Sequence, residues 1–355
     1  MGLWGPKKPL VGLDIGSSSI KAVVLKISSQ GIQLKNLGLI PLHPDTIVDG
    51  SIMDTGAVST AILELFAQER IKLKDVVIAV AGNAVTVKPI TLPNMTEDEL
   101  KDSIKYEAEQ YIPSDIEDVN LAHQVISRDT AGGHMTAVLV AVRKEKIDDY
   151  LRPVLQAGLN PVIVDVEGFG LESCFEANYE IVPDDVVALI DLGASVMNIN
   201  ILEGGVHALY RDIVIGGSQY TQTIQRKASI SFEEAENIKI NPDQNNKLEP
   251  SDLNAIFEKV TKQISSNIQS TIDFYVSTSN KPNARIDRII LSGGCSNIPE
   301  IDKDLMNLLN IPVEISNPFN NIEFNSKDFD PDYISRIASV YAVSVGLALR
   351  RLGDR

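Results

Sequence analysis

Leu10-Val11-Gly12-Leu13-Asp14-Ile15-Gly16-Ser17-Ser18-Ser19-Ile20-Lys21-Ala22-Val23-Val24-Leu25 decides how the whole chain is read. Two apolar, β-rich runs flank Asp-x-Gly and three serines, a pattern that predicts a strand, a tight turn and a second strand. The plan returns in Val186-Val187-Ala188-Leu189-Ile190-Asp191-Leu192-Gly193-Ala194-Ser195-Val196-Met197-Asn198-Ile199-Asn200-Ile201. Two copies at half-chain distance predict a duplicated lobe, whereas a solenoid would need more repeats.

The residue types in these turns suit phosphate. Glycine and small hydroxyl residues let backbone approach an anion closely, and amide N–H groups and the hydroxyls of Ser17 and Ser18 can donate to it. Lys21 adds a positive charge. Asp14 suits a magnesium ion held through water, since Mg²⁺ dehydrates reluctantly. A plain β-turn also favours Asp and Gly, so one such hairpin alone leaves both readings open. Asp191, Gly193, Ala194 and Ser195 offer a second hairpin, and two of them can clamp a phosphate chain between lobes. Asp14 and Asp191 are the metal candidates. Further on, Gly293 and Gly294 in Leu291-Ser292-Gly293-Gly294-Cys295-Ser296 lie between a predicted strand and helix, where a flat nucleoside can rest on backbone or a structural turn can form.

The remaining pattern fills in two lobes and an insert. A helix is expected over 55–70 and a strand over 76–80. An α+β unit follows: a strand over 85–92, a helix from Thr96 to Tyr111 with Glu99 completing a capping box, a strand over 135–142 and a helix over 144–156. Pro113 stops the first of these helices. A strand over 162–166 returns to the first lobe. In the second lobe Gly216-Gly217 opens a helical stretch, a helix covers 232–238, and 241–247 reads as a loop. A long helix over 251–277 shows apolar spacing at Leu253, Ile256, Phe257, Val260, Ile264 and Ile268, and a strand over 285–291 precedes Gly293.

Composition narrows the function. The chain has 355 residues, enough for two cores, and a formal charge of −16. That charge excludes general nucleic-acid binding, which needs a basic surface, and disfavours docking on anionic lipid. No run of eighteen apolar residues exists, so no membrane-spanning helix is expected. Residues 1–9 carry two lysines without an apolar core or cleavage site, and Met1-Gly2-Leu3-Trp4-Gly5-Pro6 lacks the hydroxyl residue of a myristoylation motif. With two cysteines, Cys174 and Cys295, and four histidines, neither a disulfide framework nor a zinc site is expected, and a reducing cytoplasm is the default.

The order of hairpin, acidic residue after a strand, hairpin, and Gly-Gly before a helix resembles the actin, Hsp70 and sugar-kinase superfamily over nearly the whole chain. The resemblance implies an α/β, two-lobed actin-like ATPase fold, a ribonuclease-H-like duplication with ATP or ADP and Mg²⁺ between the lobes. It places Asp14, Gly16, Ser17 and Lys21 on the first phosphate motif, Asp191, Gly193 and Ala194 on the second, and the stretch around Gly293, Gly294 and Ser296 on the adenosine motif. Glu236 and Lys239 resemble the helix that touches ribose and base, and Gly216 and Gly217 the glycine pair before that subdomain. Glu167 falls where the superfamily carries its water-positioning acid; a carboxylate favoured at a helix N-terminus is the other reading.

Three stretches resemble the PilM family of type IV pilus assembly proteins: Lys7-Lys8-Pro9-Leu10-Val11-Gly12-Leu13-Asp14-Ile15-Gly16, Tyr106-Glu107-Ala108-Glu109-Gln110-Tyr111-Ile112-Pro113 and Ala342-Val343-Ser344-Val345-Gly346-Leu347-Ala348-Leu349-Arg350. In that family's terms the first lobe takes 1–84, 162–185 and 332–355. An FtsA-type inserted subdomain takes 85–161, and the second lobe takes 186–331 with a subdomain at about 217–284. The resemblance implies an adaptor, peripheral to the inner membrane on its cytoplasmic side, that binds the cytoplasmic N-terminal tail of PilN in a groove bordered by the first lobe and the insert. The pilus motor ATPase, the platform protein and a second copy are its further candidate partners. FtsA-like proteins continue into a membrane-binding helix, whereas only residues 351–355 follow here, which argues against self-anchoring. The competing readings are a filament-forming ATPase and a small-molecule kinase. Slow or absent ATP hydrolysis is expected.

Overall fold

The fold was obtained as a computed structural model that describes residues 8–112, 115–129, 132–279, 281 and 283–353. The expectations for residues 1–7, for Pro113 and for the last two residues lie outside this range.

The hairpin of β1 (Val11–Ile15) and β2 (Ser19–Ser28) seeds the first sheet, with Asp14 paired to Lys21 across it. β3 (Gly31–Pro41) continues the meander, and the short β4 (Ile47–Val48) and β5 (Ser51–Ile52) lead into α1 (Thr55–Gln68). Asp54 caps α1 by accepting from the Ala57 N–H at 2.9 Å. β6 (Asp75–Val80) pairs parallel to β1.

The insert is a three-stranded sheet with one helix. It comprises β7 (Val85–Pro93), α2 (Glu97–Glu109), β8 (Val119–Asp129) and β9 (His134–Arg143), in the order β7-β9-β8. The capping box of Thr96 and Glu99 is present. Leu100, Ile104 and Ala108 bury one stripe of α2 against Leu92, Met135 and Leu139, so this sheet has its own core. α3 (Lys144–Gln156) was expected inside the insert, yet Tyr150 and Val154 bury themselves with Val58, Ile62 and Leu65 in the core of the first lobe.

β10 (Asn160–Val166) pairs with β6, and α4 (Glu167–Asn178) leaves it directly. β11 (Val186–Leu192) and β12 (Met197–Glu203) form the second hairpin, joined by β13 (Val206–Ile213). α5 (Ser218–Ala228), α6 (Phe232–Ile240) and α7 (Pro250–Thr278) follow. α7 buries Leu253, Ile256, Val260, Ile264 and Ile268 at the spacing read from the sequence. β14 (Arg288–Ser292), α8 (Ile301–Leu309) and β15 (Val313–Ile315) complete the second sheet, ordered β13-β12-β11-β14-β15. β14 starts at Arg288, three residues after the start of the expected strand, and Asp287 just ahead of it accepts from the Val186 N–H at 2.9 Å.

β16 (Ile322–Glu323) pairs with β3, so the chain rejoins the first sheet before residue 332. The first sheet is then β10-β6-β1-β2-β3-β16. α9 (Pro331–Ile337) and α10 (Ala342–Leu349) close the chain. α4 and α10 share one apolar core with residues of both sheets, among them Val23, Leu189, Leu202 and Ile290. These two helices cross backbone on backbone: a Cβ on Gly346 would meet the Gly170 carbonyl oxygen at 1.7 Å. The architecture is the two-sheet α/β duplication that the paired hairpins predict.

Candidate functional site

The two hairpins are closed by the same bond. The Gly16 N–H donates to the Ser19 carbonyl, and the Gly193 N–H to the Val196 carbonyl, both at 3.1 Å. The turns face each other across the molecule, and the Ser195 hydroxyl donates to the Ser17 hydroxyl. Behind them a cavity of about 80 Å³ is lined by Asp14, Gly16, Ser17, Ser18, Lys21, Glu167, Asp191, Gly193, Ala194, Ser195, Gly293 and Gly294. Twelve residues singled out in the sequence are therefore brought to one cleft.

Charge is concentrated there. Lys21 Nζ lies 2.9 Å from Asp14 Oδ2, and both side chains are nearly buried. Burial disfavours the Lys21 ammonium, but Asp14, Asp191 and Glu167 more than offset it and hold the pKa above its ordinary value. Burial, with Asp14 next, pushes the Asp191 carboxyl up to about 6, against Lys21 and a hydrogen bond from Ser292. The Glu167 carboxyl is pushed well above the usual range by burial, then by Asp14, Asp212 and Asp191, against Lys146. Glu167 is the first residue of α4, where no side chain caps the helix.

Among the described residues, no group of three or more His, Cys, Asp or Glu side chains is placed to hold a metal ion by itself. Mg²⁺ does not need one, since it commonly takes one or two carboxylates with water and phosphate oxygens. Asp14 and Asp191, close enough for Asp14 to raise the Asp191 pKa, fit that donor set.

The other five candidates stand behind the cleft. The Gly217 N–H donates to the Gly193 carbonyl at 3.0 Å, and the next amide, of Ser218, to Ala194 at 2.8 Å. Gly216 packs so closely on this turn that a Cβ would lie 2.5 Å from the Gly193 oxygen. The Ser296 hydroxyl donates to the Gly293 carbonyl at 2.7 Å and meets the Ser339 hydroxyl at 2.8 Å. Glu236 and Lys239 pair at 2.6 Å on α6, and the Thr221 hydroxyl donates to Glu236.

Gly50, Lys146, Tyr150 and Asp212, which stand in or beside the cleft, carried no sequence signal. Tyr150 of α3 lines the cleft with Gly50, and Lys146 donates to the Gly50 carbonyl. Asp212 accepts from the Gly82 N–H at 2.5 Å, the Tyr210 hydroxyl at 2.8 Å and Asn198 at 2.6 Å, tying the second lobe to the entry of the insert. The Cys295 thiol, its pKa pushed up to about 11 by burial, donates to the Gly193 carbonyl at 3.2 Å.

A second, larger groove of about 710 Å³ runs between the insert, β10, α4 and the start of β13. β8 lines it with every residue from 120 to 126. β8 is an edge strand, so one row of its backbone groups has no strand partner. On the opposite wall, Glu172 Oε1 accepts from Asn200 Nδ2 at 2.8 Å and lies 2.7 Å from His207 Nδ1. No helix among the described residues is long and apolar enough to cross a membrane.

A family model described as type IV pilus assembly protein PilM matches residues 12–352. Among solved structures, a chain of a PilM–PilN type IV pilus biogenesis complex is similar at 27% identity and a TM-score of 0.86, with 97% of this chain and 99% of that one covered. The ethanolamine utilization protein EutJ of Carboxydothermus hydrogenoformans is similar at 16% identity and a TM-score of 0.58, covering 97% and 91%. MreB5 of Spiroplasma citri, solved with ADP, is similar at 15% identity and a TM-score of 0.53, covering 96% and 95%. The last two establish likeness of fold.

Proposed function

Because the chain belongs to the PilM family of type IV pilus assembly proteins, we propose that it is a nucleotide-holding adaptor of the pilus assembly platform that binds the cytoplasmic N-terminal tail of PilN. The observation that carries the reading is the groove between the insert and the first lobe. Nucleotide clamping does not require it, and its edge strand offers backbone groups to an extended peptide. Through PilN the protein is held at the cytoplasmic face of the inner membrane. The pilus motor ATPase, the platform protein and a second copy are candidates for its remaining surface.

The cleft is read as the nucleotide site. The amides of residues 17–18 and 194–195 and the serine hydroxyls of the two turns would donate to ATP phosphates, Lys21 would neutralise one of them, and Gly293 and Gly294 would support the nucleoside. Asp14 and Asp191 would hold Mg²⁺, whose chemistry is to shield the β- and γ-phosphate charge. Gly216, Gly217 and Ser296 brace these turns from behind. Glu236 and Lys239, on the short helix they share behind the cleft, would lie on the side of ribose and base. With Asp14 and Asp191 given to the metal, Glu167 is the cleft acid left to orient water, its pKa raised by burial and then by the neighbouring carboxylates. An adaptor needs occupancy more than turnover, so hydrolysis is slow or absent, far below the ~10 s⁻¹ typical of dedicated enzymes.

Titration of the full chain with a synthetic PilN tail peptide tests the reading. Ala122 is exposed on β8 and lines the groove, so Ala122→Trp should abolish tail binding and leave ATP affinity unchanged. Unchanged tail affinity in this variant would reject the groove.

A further inference from the structure

β4 and β5 form a two-residue hairpin in which Val48 pairs with Ser51 around Asp49 and Gly50. Both turn residues have positive φ, +48° and +75°, as the tightest hairpin turns require. The tip reaches the cleft. Gly50 lines it beside Tyr150, and a Cβ on Gly50 would lie 3.9 Å from Val196 of the second hairpin. Two donors one turn apart on α3 hold this tip. The Tyr150 hydroxyl donates to the Gly50 carbonyl at 3.0 Å, and the Lys146 ammonium donates to the same oxygen. Lys146 Nζ lies 4.5 Å from the centroid of the Tyr150 ring, so the two side chains run together toward the tip.

That arrangement leaves a positive charge unmatched. Lys21 is committed to Asp14, whereas the half-buried Lys146 has no carboxylate within salt-bridge distance among the described residues. An ammonium carries three donors, and one carbonyl does not use them. Burial lowers the Lys146 pKa, and Glu167 of the cleft is the foremost charge acting the other way. Burial, then Glu167 and Asp14, raise the pKa of Tyr150, so its hydroxyl remains a donor at neutral pH. Hydrogen bonds to a charged oxygen are roughly twice as strong as those to a neutral one, so both donors favour a phosphate over the Gly50 carbonyl. The cavity of about 80 Å³ is also well short of the ~300 Å³ at which small-molecule pockets begin. A nucleotide must part the walls, and the Gly50 tip is a wall whose bonds a phosphate can replace.

We propose that Lys146 and Tyr150 read the terminal phosphate of ATP, leaving the Gly50 carbonyl to donate to that phosphate, and so set a preference for ATP over ADP. The proposal rests on the reading of the cleft as the nucleotide site. In that reading Gly293 and Gly294 support the nucleoside, while Tyr150 stands by Glu167, the acid left to orient water. The phosphate chain then runs toward α3. ADP ends short of the two donors and leaves the Gly50 tip where it is, whereas Lys21, in the first hairpin, serves nucleotides of either length.

Calorimetric titration of the full chain with ATP and with ADP, both in Mg²⁺, tests this. The unaltered protein should bind ATP about tenfold or more tightly than ADP. Lys146→Met keeps the aliphatic stem; it should weaken ATP about tenfold and leave ADP within about twofold. Tyr150→Phe keeps the ring and should weaken ATP about threefold, again sparing ADP. Retained ADP affinity shows that each variant is folded. An equal loss for both nucleotides would mean that α3 merely braces the Gly50 tip, and would overturn the proposal. ATP affinity unchanged in Lys146→Met would overturn it as well. Equal binding of ATP and ADP by the unaltered protein would remove the phosphate reader and leave the nucleotide cleft standing, whereas binding of neither would remove both readings.

Discussion

Asp191 is held in the cleft at a cost to folding that the site itself explains. Its folded pKa of about 6 lies above the ordinary 3.8, so its charged form is disfavoured by the fold. That penalty is fully present above pH 6, shrinks as pH falls through 6, and is gone below the unfolded value near 4. Asp191→Asn keeps an acceptor for the Ser292 hydroxyl, which donates at 2.9 Å, and removes the charge. The variant should be more stable than the parent by on the order of 1–3 kcal/mol at pH 7.5, by about half as much at pH 5, and should bind nucleotide less well. Urea titrations at the two pH values, beside ATP calorimetry, would show this; a variant that loses stability at pH 7.5 contradicts it. Gly293 meets a different constraint. Its φ is +89°, and a Cβ would lie 2.5–2.8 Å from Leu192 backbone atoms. Gly293→Ala should therefore cost about 2 kcal/mol or more, because both the conformation and the space exclude a side chain. Urea unfolding with a midpoint like the parent's would refute that account.

At the scale of elements, the crossing of α4 and α10 has no room for a methyl group at Gly346. Gly346→Ala should force the helices apart, lower stability by about 3 kcal/mol or more, and weaken nucleotide binding through Glu167 at the start of α4. A thermal midpoint equal to the parent's would mean that the crossing tolerates a shift. What the sequence disclosed about elements follows how they are buried. The hairpin strands β1 and β11 are buried on both faces, so they read as unbroken apolar runs. α7 shows its stripe because one face meets a core and the other water. β8 was missed because it is an edge strand, and Asn120, His123, Gln124 and Ser127 leave its alternation faint. β3 and β13 were missed for a similar reason: Lys35, Asn36, His207 and Arg211 interrupt them, and their pairing to β2 and β12 is what makes them strands. The cleft was legible because phosphate-facing turns need small residues at fixed offsets. The groove was not, because its walls come from distant segments with no shared motif.

Across the whole molecule, α4 joins the two sites: Glu167 lies in the cleft, while Phe169, Glu172 and Glu176 lie in the groove. ATP with Mg²⁺ at a hundred times its dissociation constant should stabilise the protein by about 2.7 kcal/mol, more than either alone, and Asp14→Ala should erase most of that gain. Thermal melts with ATP, with Mg²⁺ and with both would measure it, and equal midpoints in all three would speak against a shared site. α10 carries one further consequence, and it concerns synthesis. It belongs to the core that covers Val23, Leu25 and Val77 of the first sheet. Those strands leave the ribosome long before the helix that covers them. The first lobe therefore begins to form early yet closes late, and a nascent chain stalled before Ala342 presents bare apolar strands as a substrate for chaperones.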